Sequence, residues 1–164
     1  MKKNNQELIF GIHASKAALS NSKRKVHKIL CTKQIFEKNL TLIENKRIAK
    51  IEIMKRSQID NILGVNMHQG IAVYCDKLSK KCFKNIANDK TILILDSLKD
   101  PQNVGSIIRT AHLFGIETIL YTKYNSFEIN PYLIKTASGA FESINLIEIV
   151  NLNQTIDILK KKGF

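Results

Sequence analysis

The densest run of chemistry-bearing residues is ILDSLKDPQNVGSIIRTAHLFG, residues 94–115. An apolar stretch ends at Asp96, and a turn carrying Asp100, Pro101, Asn103 and Gly105 leads into a helix with one arginine, Arg109. A planar guanidinium suits phosphate oxygens, because its fork of donors makes paired hydrogen bonds. It is no general base, since arginine keeps its proton at ordinary pH. Two readings stand for Arg109: a solvated surface residue, or a clamp for an anion. Two also stand for Asn103, a helix cap or a catalytic polar group. Asp100 can accept hydrogen bonds from the turn, Pro101 fixes φ, and Gly105 lets another backbone come close to the first helical turn. Helical spacing places Val104, Ile107, Ile108, Ala111 and Phe114 on one face, which leaves Arg109 nearly opposite with Leu113 beside it. The run has neither G-x-G-x-x-G nor a P-loop lysine, so nucleotide binding of those kinds is not supported.

An α/β framework must hold that turn. Residues 91–164 read as strand TILILD, helix 104–115, strand ETILYT, a helix near 130–137, strand NLIEIV and helix 152–162. Continuous apolar strands alternating with helices imply a parallel sheet covered on both faces. Ligands of such sheets collect beyond the carboxyl ends of the strands, where the turn after TILILD lies. Residues 1–76 read as a separate small α/β unit. HASKAALSNSKRK is a short helix fading into a basic loop, and VHKILCT, IAKIEIM and QGIAVYC are strands. A helix covers 34–45, and KRSQIDNILG is another, with Ser57 near its cap and Gly64 closing it. The lysine-rich segment 77–90 is a linker.

Charge divides the chain at the same place. Residues 1–90 carry 19 Lys+Arg against 7 Asp+Glu, and residues 91–164 carry 7 against 7, so the whole net charge of +12 sits in the first part. A genome-wide taste for lysine would load both parts. The asymmetry favours a polyanion partner for the amino-terminal unit. Cys31, Cys75 and Cys82 are odd in number and lack C-x-x-C spacing. That argues against a disulfide framework and against zinc, and fits small apolar fillers in a reducing cytosol. Apolar runs are far shorter than the roughly 20 residues of a membrane span, and the amino terminus has no apolar signal-peptide core.

DPQNVGSIIRTAHLFG resembles the first signature of the SpoU (TrmH-type) RNA ribose 2'-O-methyltransferases of the SPOUT superfamily. That pattern runs D-P-x-N-x-G, arginine, alanine, F-G, matched by Asp100, Pro101, Asn103, Gly105, Arg109, Ala111, Phe114 and Gly115. KTASGAFESI, with Ser138, Gly139, Ala140 and Glu142, resembles the family's next segment. IFGIHAS and HQGIAV resemble the substrate-binding domain of the branch that methylates a guanosine of large-subunit ribosomal RNA. The resemblance implies an L30e-like amino-terminal domain followed by a SPOUT domain, RNA as partner, S-adenosylmethionine as cofactor, and a homodimer.

The resemblance assigns Arg109 to the ribose hydroxyl and neighbouring phosphate, Asn103 to shaping that pocket, and Glu142 to its rim. His13, Gln69 and Gly70 carry over as substrate-domain positions, with a helix cap as the competing role for His13. Lys23, Arg24 and Lys25 are phosphate contacts in this reading, or simply a solvated loop. The family's later G-x-E-G and S-L-N-V signatures, which build the methyl-donor pocket and the knot, do not occur in these 164 residues. The expectation is therefore an incomplete SPOUT domain without the knot segment, whose cofactor-binding residues are unassigned. Methyl transfer by this stretch alone is not expected. A non-catalytic RNA-binding protein is the alternative.

Overall fold

The computed structural model describes residues 5–44, 48, 50–79, 83, 86 and 91–164. Cys82 and most of the 77–90 linker lie outside the described residues. The first sheet has strands β1 (Gln6–Phe10), β2 (Val26–Cys31), β3 (Lys50–Ile53) and β4 (Ile71–Asp76), in the order β1-β4-β2-β3. β4 pairs antiparallel with β1 and β2, whereas β2 and β3 run parallel. Helices α1 (Ile12–Ser20), α2 (Lys33–Lys38), α3 (Leu40–Glu44) and α4 (Arg56–Leu63) complete this unit. The alanines of α1 serve packing, for Ala14, Ala18 and Leu19 are buried beneath it with Ile9, Ile29 and Val73.

The second sheet is wholly parallel: β5 (Ile92–Leu95), β6 (Thr118–Thr122) and β7 (Asn145–Ile149) lie in the order β5-β6-β7. Helices α5 (Pro101–Leu113) and α6 (Pro131–Thr136), with a 3-10 turn at Ala140–Glu142, cover one face, and α7 (Leu152–Lys161) covers the other. Leu120, Ile147 and Ile149 point to the α7 side, and Ile119 and Tyr121 to the α5 side. Strands this apolar on alternate residues need both layers.

The structure corrects several local readings. β1 went unseen in the sequence. In place of one helix over 34–45, two short helices cover Lys33–Lys38 and Leu40–Glu44, broken where the Asn39 side chain donates to the Ile35 carbonyl at 2.7 Å. Helix α4 is capped at Lys55, not Ser57, although Gly64 does close it in the left-handed region. Helix α5 begins at Pro101, so Asp100 is its cap and Asn103 is not. Phe114 does not join the apolar face; it is 81% exposed beyond the helix end.

One core runs through both units, joining Ile9, Ala14 and Ala18 to Leu133, Ala137 and Ala140. Two close approaches make this possible. A Cβ on Gly105 would meet the Leu133 carbonyl oxygen at 2.7 Å and the Thr136 Cβ at 2.8 Å, so α5 and α6 touch there. The Ser138–Gly139 turn has φ of 52° and 93°, and a Cβ on Gly139 would meet the Ala17 Cβ at 3.0 Å.

Beside this contact the Arg24 guanidinium is fully buried. Its Nε donates to both Glu142 oxygens at 3.1 and 3.0 Å, Nη2 to Glu142 Oε1 at 2.8 Å, and Nη1 to the Asp76 carbonyl at 2.8 Å. Glu7 Oε2 stands 2.7 Å from Nη1 as a charge contact without hydrogen-bond alignment. Asn21 Nδ2 donates to Glu142 Oε2 at 2.7 Å. Burial by itself would lower the Arg24 pKa, but the hydrogen bond and charge of Glu142, aided by Glu7, hold it above the ordinary arginine value.

Gly105→Ala should destabilise the fold by about 2 kcal/mol in urea titrations, because overpacking against backbone outweighs the helix-propensity gain of about 1 kcal/mol. Glu142→Ala, which strands a buried guanidinium, should cost about 3 kcal/mol, with Glu142→Gln between it and wild type.

Candidate functional site

The turn after β5 is built to start a helix. Asp100 accepts from the backbone N–H of Gln102 at 3.0 Å and of Asn103 at 3.3 Å, and Pro101 occupies a first-turn position where no N–H is needed. Ser97, with φ of 56°, donates from its hydroxyl to Asp96 Oδ1 at 3.2 Å. Val104, Ile108 and Ala111 are sunk in the core, which turns Asn103, Ser106, Arg109 and Thr110 to solvent.

On that outer arc the hydroxyls are committed. Ser106 Oγ donates to the Gln102 carbonyl at 3.1 Å and Thr110 Oγ1 to the Ser106 carbonyl at 3.0 Å. Asn103 and Arg109 have no side-chain partner among the described residues. Both are exposed and open to a ligand, about 9 Å apart along the axis. The surface clamp stays open to Arg109, because it is not pinned in the sheet.

The substrate-unit residues gather on the other side of α6. Gly11, with φ of 93°, precedes α1, and the Ile12 N–H at the helix start donates to Gln69 Oε1 at 3.0 Å. His13 is therefore not the cap; it is exposed on the first turn of α1. A Cβ on Gly11 would meet the Lys135 Cγ at 3.0 Å, and one on Gly139 would meet the His13 carbonyl oxygen at 3.4 Å. His13, Gln69 and the Ser138–Gly139 turn are thus neighbours, with α6 standing between them and α5. Gly70 (φ 81°) donates to Nδ1 of buried His68, leaving Nε2 to donate to Asp60 Oδ1 at 2.7 Å. That histidine is a neutral structural pin.

Two assignments fail on burial. Arg24 is 3% exposed, and the Glu142 side chain is 6% exposed with both oxygens on Arg24. Neither is a contact for RNA or a rim group; together they tie the units. Lys23 and Lys25 on either side of Arg24 are exposed, as the loop reading requires. Cys31 and Cys75 are buried and free, with burial pushing both thiols up to about 11, so neither is a nucleophile at neutral pH. No metal-binding cluster occurs among the described residues, and no helix there is long and apolar enough to cross a membrane.

Sequence reasoning missed a cleft of about 840 Å³ between the units. Tyr121 at the end of β6, Lys123, Tyr124, Phe127 and Glu128 from the β6–α6 loop, and Phe141 line it. The clue in the sequence was KYNSFE, two aromatics and a lysine in a loop at the carboxyl end of a strand.

Comparison with known proteins bears on both units. Residues 8–81 match the model of the RNA 2'-O ribose methyltransferase substrate-binding family, and residues 90–164 match that of the SpoU rRNA methylase family. The 23S rRNA (guanosine-2'-O-)-methyltransferase RlmB of Coxiella burnetii is 29% identical over 94% of this chain and 66% of its own length. A Staphylococcus epidermidis protein assigned to the TrmH family of tRNA/rRNA methyltransferases is 32% identical over 96% of this chain and 66% of its own. The chain thus spans about two thirds of the length of the curated relatives it matches. In fold it is similar to the SpoU methyltransferase AviRb of Streptomyces viridochromogenes in complex with AdoMet. That likeness has a TM-score of 0.75 at 16% identity, over 96% of this chain and 59% of AviRb. A buried framework common to both units, the signature turn on α5 and these matches in one order lead to the conclusion that the chain belongs to the SpoU (TrmH-type) family of RNA methylases.

Proposed function

We propose that the chain provides the RNA-holding unit and the ribose-facing helix of an RNA ribose 2'-O-methyltransferase. Its substrate class is guanosine in ribosomal RNA, and its methyl donor is S-adenosylmethionine. The substrate follows the name of the RlmB relative, and the donor follows the family and the AdoMet complex of the AviRb neighbour. The observation that carries the reading is Arg109: exposed and uncommitted among the described residues, on the helix that opens at the carboxyl end of β5. A cation held there can orient a phosphate and the adjoining ribose hydroxyl, and stabilise charge on that oxygen. It does not take the proton. The exposed lysines of residues 1–76 supply long-range attraction for the same strand.

The residues present do not complete a pocket for S-adenosylmethionine. The grooves nearest the signature helix flank β5. One, of about 290 Å³, is lined by Leu93, Ile107 and Phe114, and the other, of about 240 Å³, by Ile92, Ile94 and Leu159. Neither is lined by a carboxylate for the ribose hydroxyls; Ser106 and Thr110 beside the first already serve their own helix, and Lys160 is the charged donor beside the second. The alternative reading is a non-catalytic RNA-binding protein that kept its substrate unit.

Two measurements separate the readings. Equilibrium dialysis with labelled S-adenosylmethionine against residues 1–164 should show no saturable binding; saturation would overturn the pocket assessment. Arg109→Ala should leave the unfolding midpoint within about 0.5 kcal/mol of wild type, as for an exposed residue. It should lower ribose methylation of ribosomal RNA in cells, mapped by primer extension, by about 100-fold or more. Unchanged methylation would leave only the non-catalytic reading.

A further inference from the structure

The cleft between the units carries a ligand chemistry that the signature residues do not use. Its floor is aromatic and rigid: Tyr121 and Phe127 lie with ring centroids 4.8 Å apart and tilted by 37°. Its lip is Tyr124, 65% exposed, with the Lys123 Nζ 5.6 Å from the ring centroid. Asn125 follows with φ of 53°, a left-handed conformation that asparagine tolerates better than most residues.

Lys23, Lys77 and Lys123 are exposed and line the cleft. Among its carboxylates, Glu7 and Glu142 are held by Arg24, and Glu148 Oε2 lies 3.4 Å from the Tyr121 hydroxyl. Glu128 is left without a partner among the described residues. Of the exposed charges, three lysines face two carboxylates, Glu128 and Glu148, so phosphate partners are available at Lys23, Lys77 and Lys123, and the cleft's volume of about 840 Å³ holds a group of nucleotide size. Aromatic faces with lysines at their margin are how proteins hold single-stranded nucleic acid, stacking the bases and pairing the phosphates with cations.

We infer that this cleft receives an unpaired nucleobase of the RNA strand, stacked on Tyr124, with the flanking phosphates on Lys23, Lys77 and Lys123. The inference rests on the RNA reading above and adds a binding site where the two units meet. Neither Asn103 nor Arg109 lines it. The substrate would be a strand that is single-stranded at this point, held at a loop, bulge or end.

The test is fluorescence anisotropy with a labelled single-stranded RNA of about ten nucleotides, a length within reach of one such site. A duplex of the same sequence is the competitor. Tyr124→Ala should weaken binding about tenfold and Tyr124→Phe should restore it, because stacking needs the ring and not the hydroxyl. Lys123→Ala and Lys77→Ala should each make the log-affinity against log-salt slope shallower by about 0.7, the loss of one phosphate contact to a single strand. The duplex should compete poorly. Wild-type affinity in Tyr124→Ala, or equal competition by duplex, overturns the cleft assignment. If charge-neutralising changes at Lys16 and Lys25 still weaken binding in that case, the RNA reading survives it. If wild type binds no RNA, both fall together.

Discussion

The geometry of this chain depends on a single buried guanidinium. Arg24 belongs to the loop before β2, yet its strongest partner is Glu142, 118 residues further on in the other unit. Burying a guanidinium and two carboxylates is costly and is offset only when the donors find acceptors in good alignment. Here Nε, Nη1 and Nη2 all do. Such a cluster tolerates little relative motion, because a small rotation of one unit would leave a charge stranded in a dry place. The apolar contacts alongside it, Ala17 on the Gly139 turn and Phe10 edge-on to Tyr132 at 5.5 Å, lack that directionality. Packing brings the units together, and the ion cluster sets their angle.

That fixed angle gives the uneven charge distribution a meaning. The amino-terminal unit holds the excess lysines as a diffuse field, suited to drawing in a polyanion and indifferent to its sequence. The second unit is neutral overall and offers one arginine on α5, where position counts more than bulk attraction. Helix α6 separates Gly105 of α5 from Gly11 and His13, so its backbone is the shared spacer between the two sets of residues. Glycine is required at Gly105 for this reason, since any side chain would push α5 away from α6 and carry Arg109 with it.

Much of the second unit was legible because its strands are continuous apolar runs and its helices carry clear caps. The signature turn could be read to within a few residues, with Asp100 rather than Asn103 as the cap. Both residues are good caps by type, and Pro101 decides between them by fixing the first helical position. β1 was harder to see. QELIF alternates only weakly, and its strand character comes from pairing with β4, a partner 65 or so residues distant that local pattern does not reveal. Arg24 was misread for a related reason. In sequence it sits between two lysines in an evident basic loop, and nothing local distinguishes the one cation that folds inward. Its partners Glu7 and Glu142 lie on other elements and become visible only in three dimensions. The KYNSFE cleft escaped for the same reason, since the rest of its wall comes from the first unit, the 3-10 turn and β7.

The two open edges of the second sheet differ in a way that orders the rest. β5 pairs only with β6 among the described residues, and on each face of the sheet an apolar groove runs beside it. Ile92, Leu93 and Ile94 are each left partly exposed there. Parallel sheets are stable when both faces are covered, so an edge bordered on both sides by apolar grooves is one that further strands and helices would extend. β7 is the opposite case. The cleft at its margin is lined by Glu148, Asn145 and Lys123, polar groups that no extending strand would bury cheaply. The β5 edge is therefore apolar and the β7 edge polar, and the signature helix α5 packs beside the first.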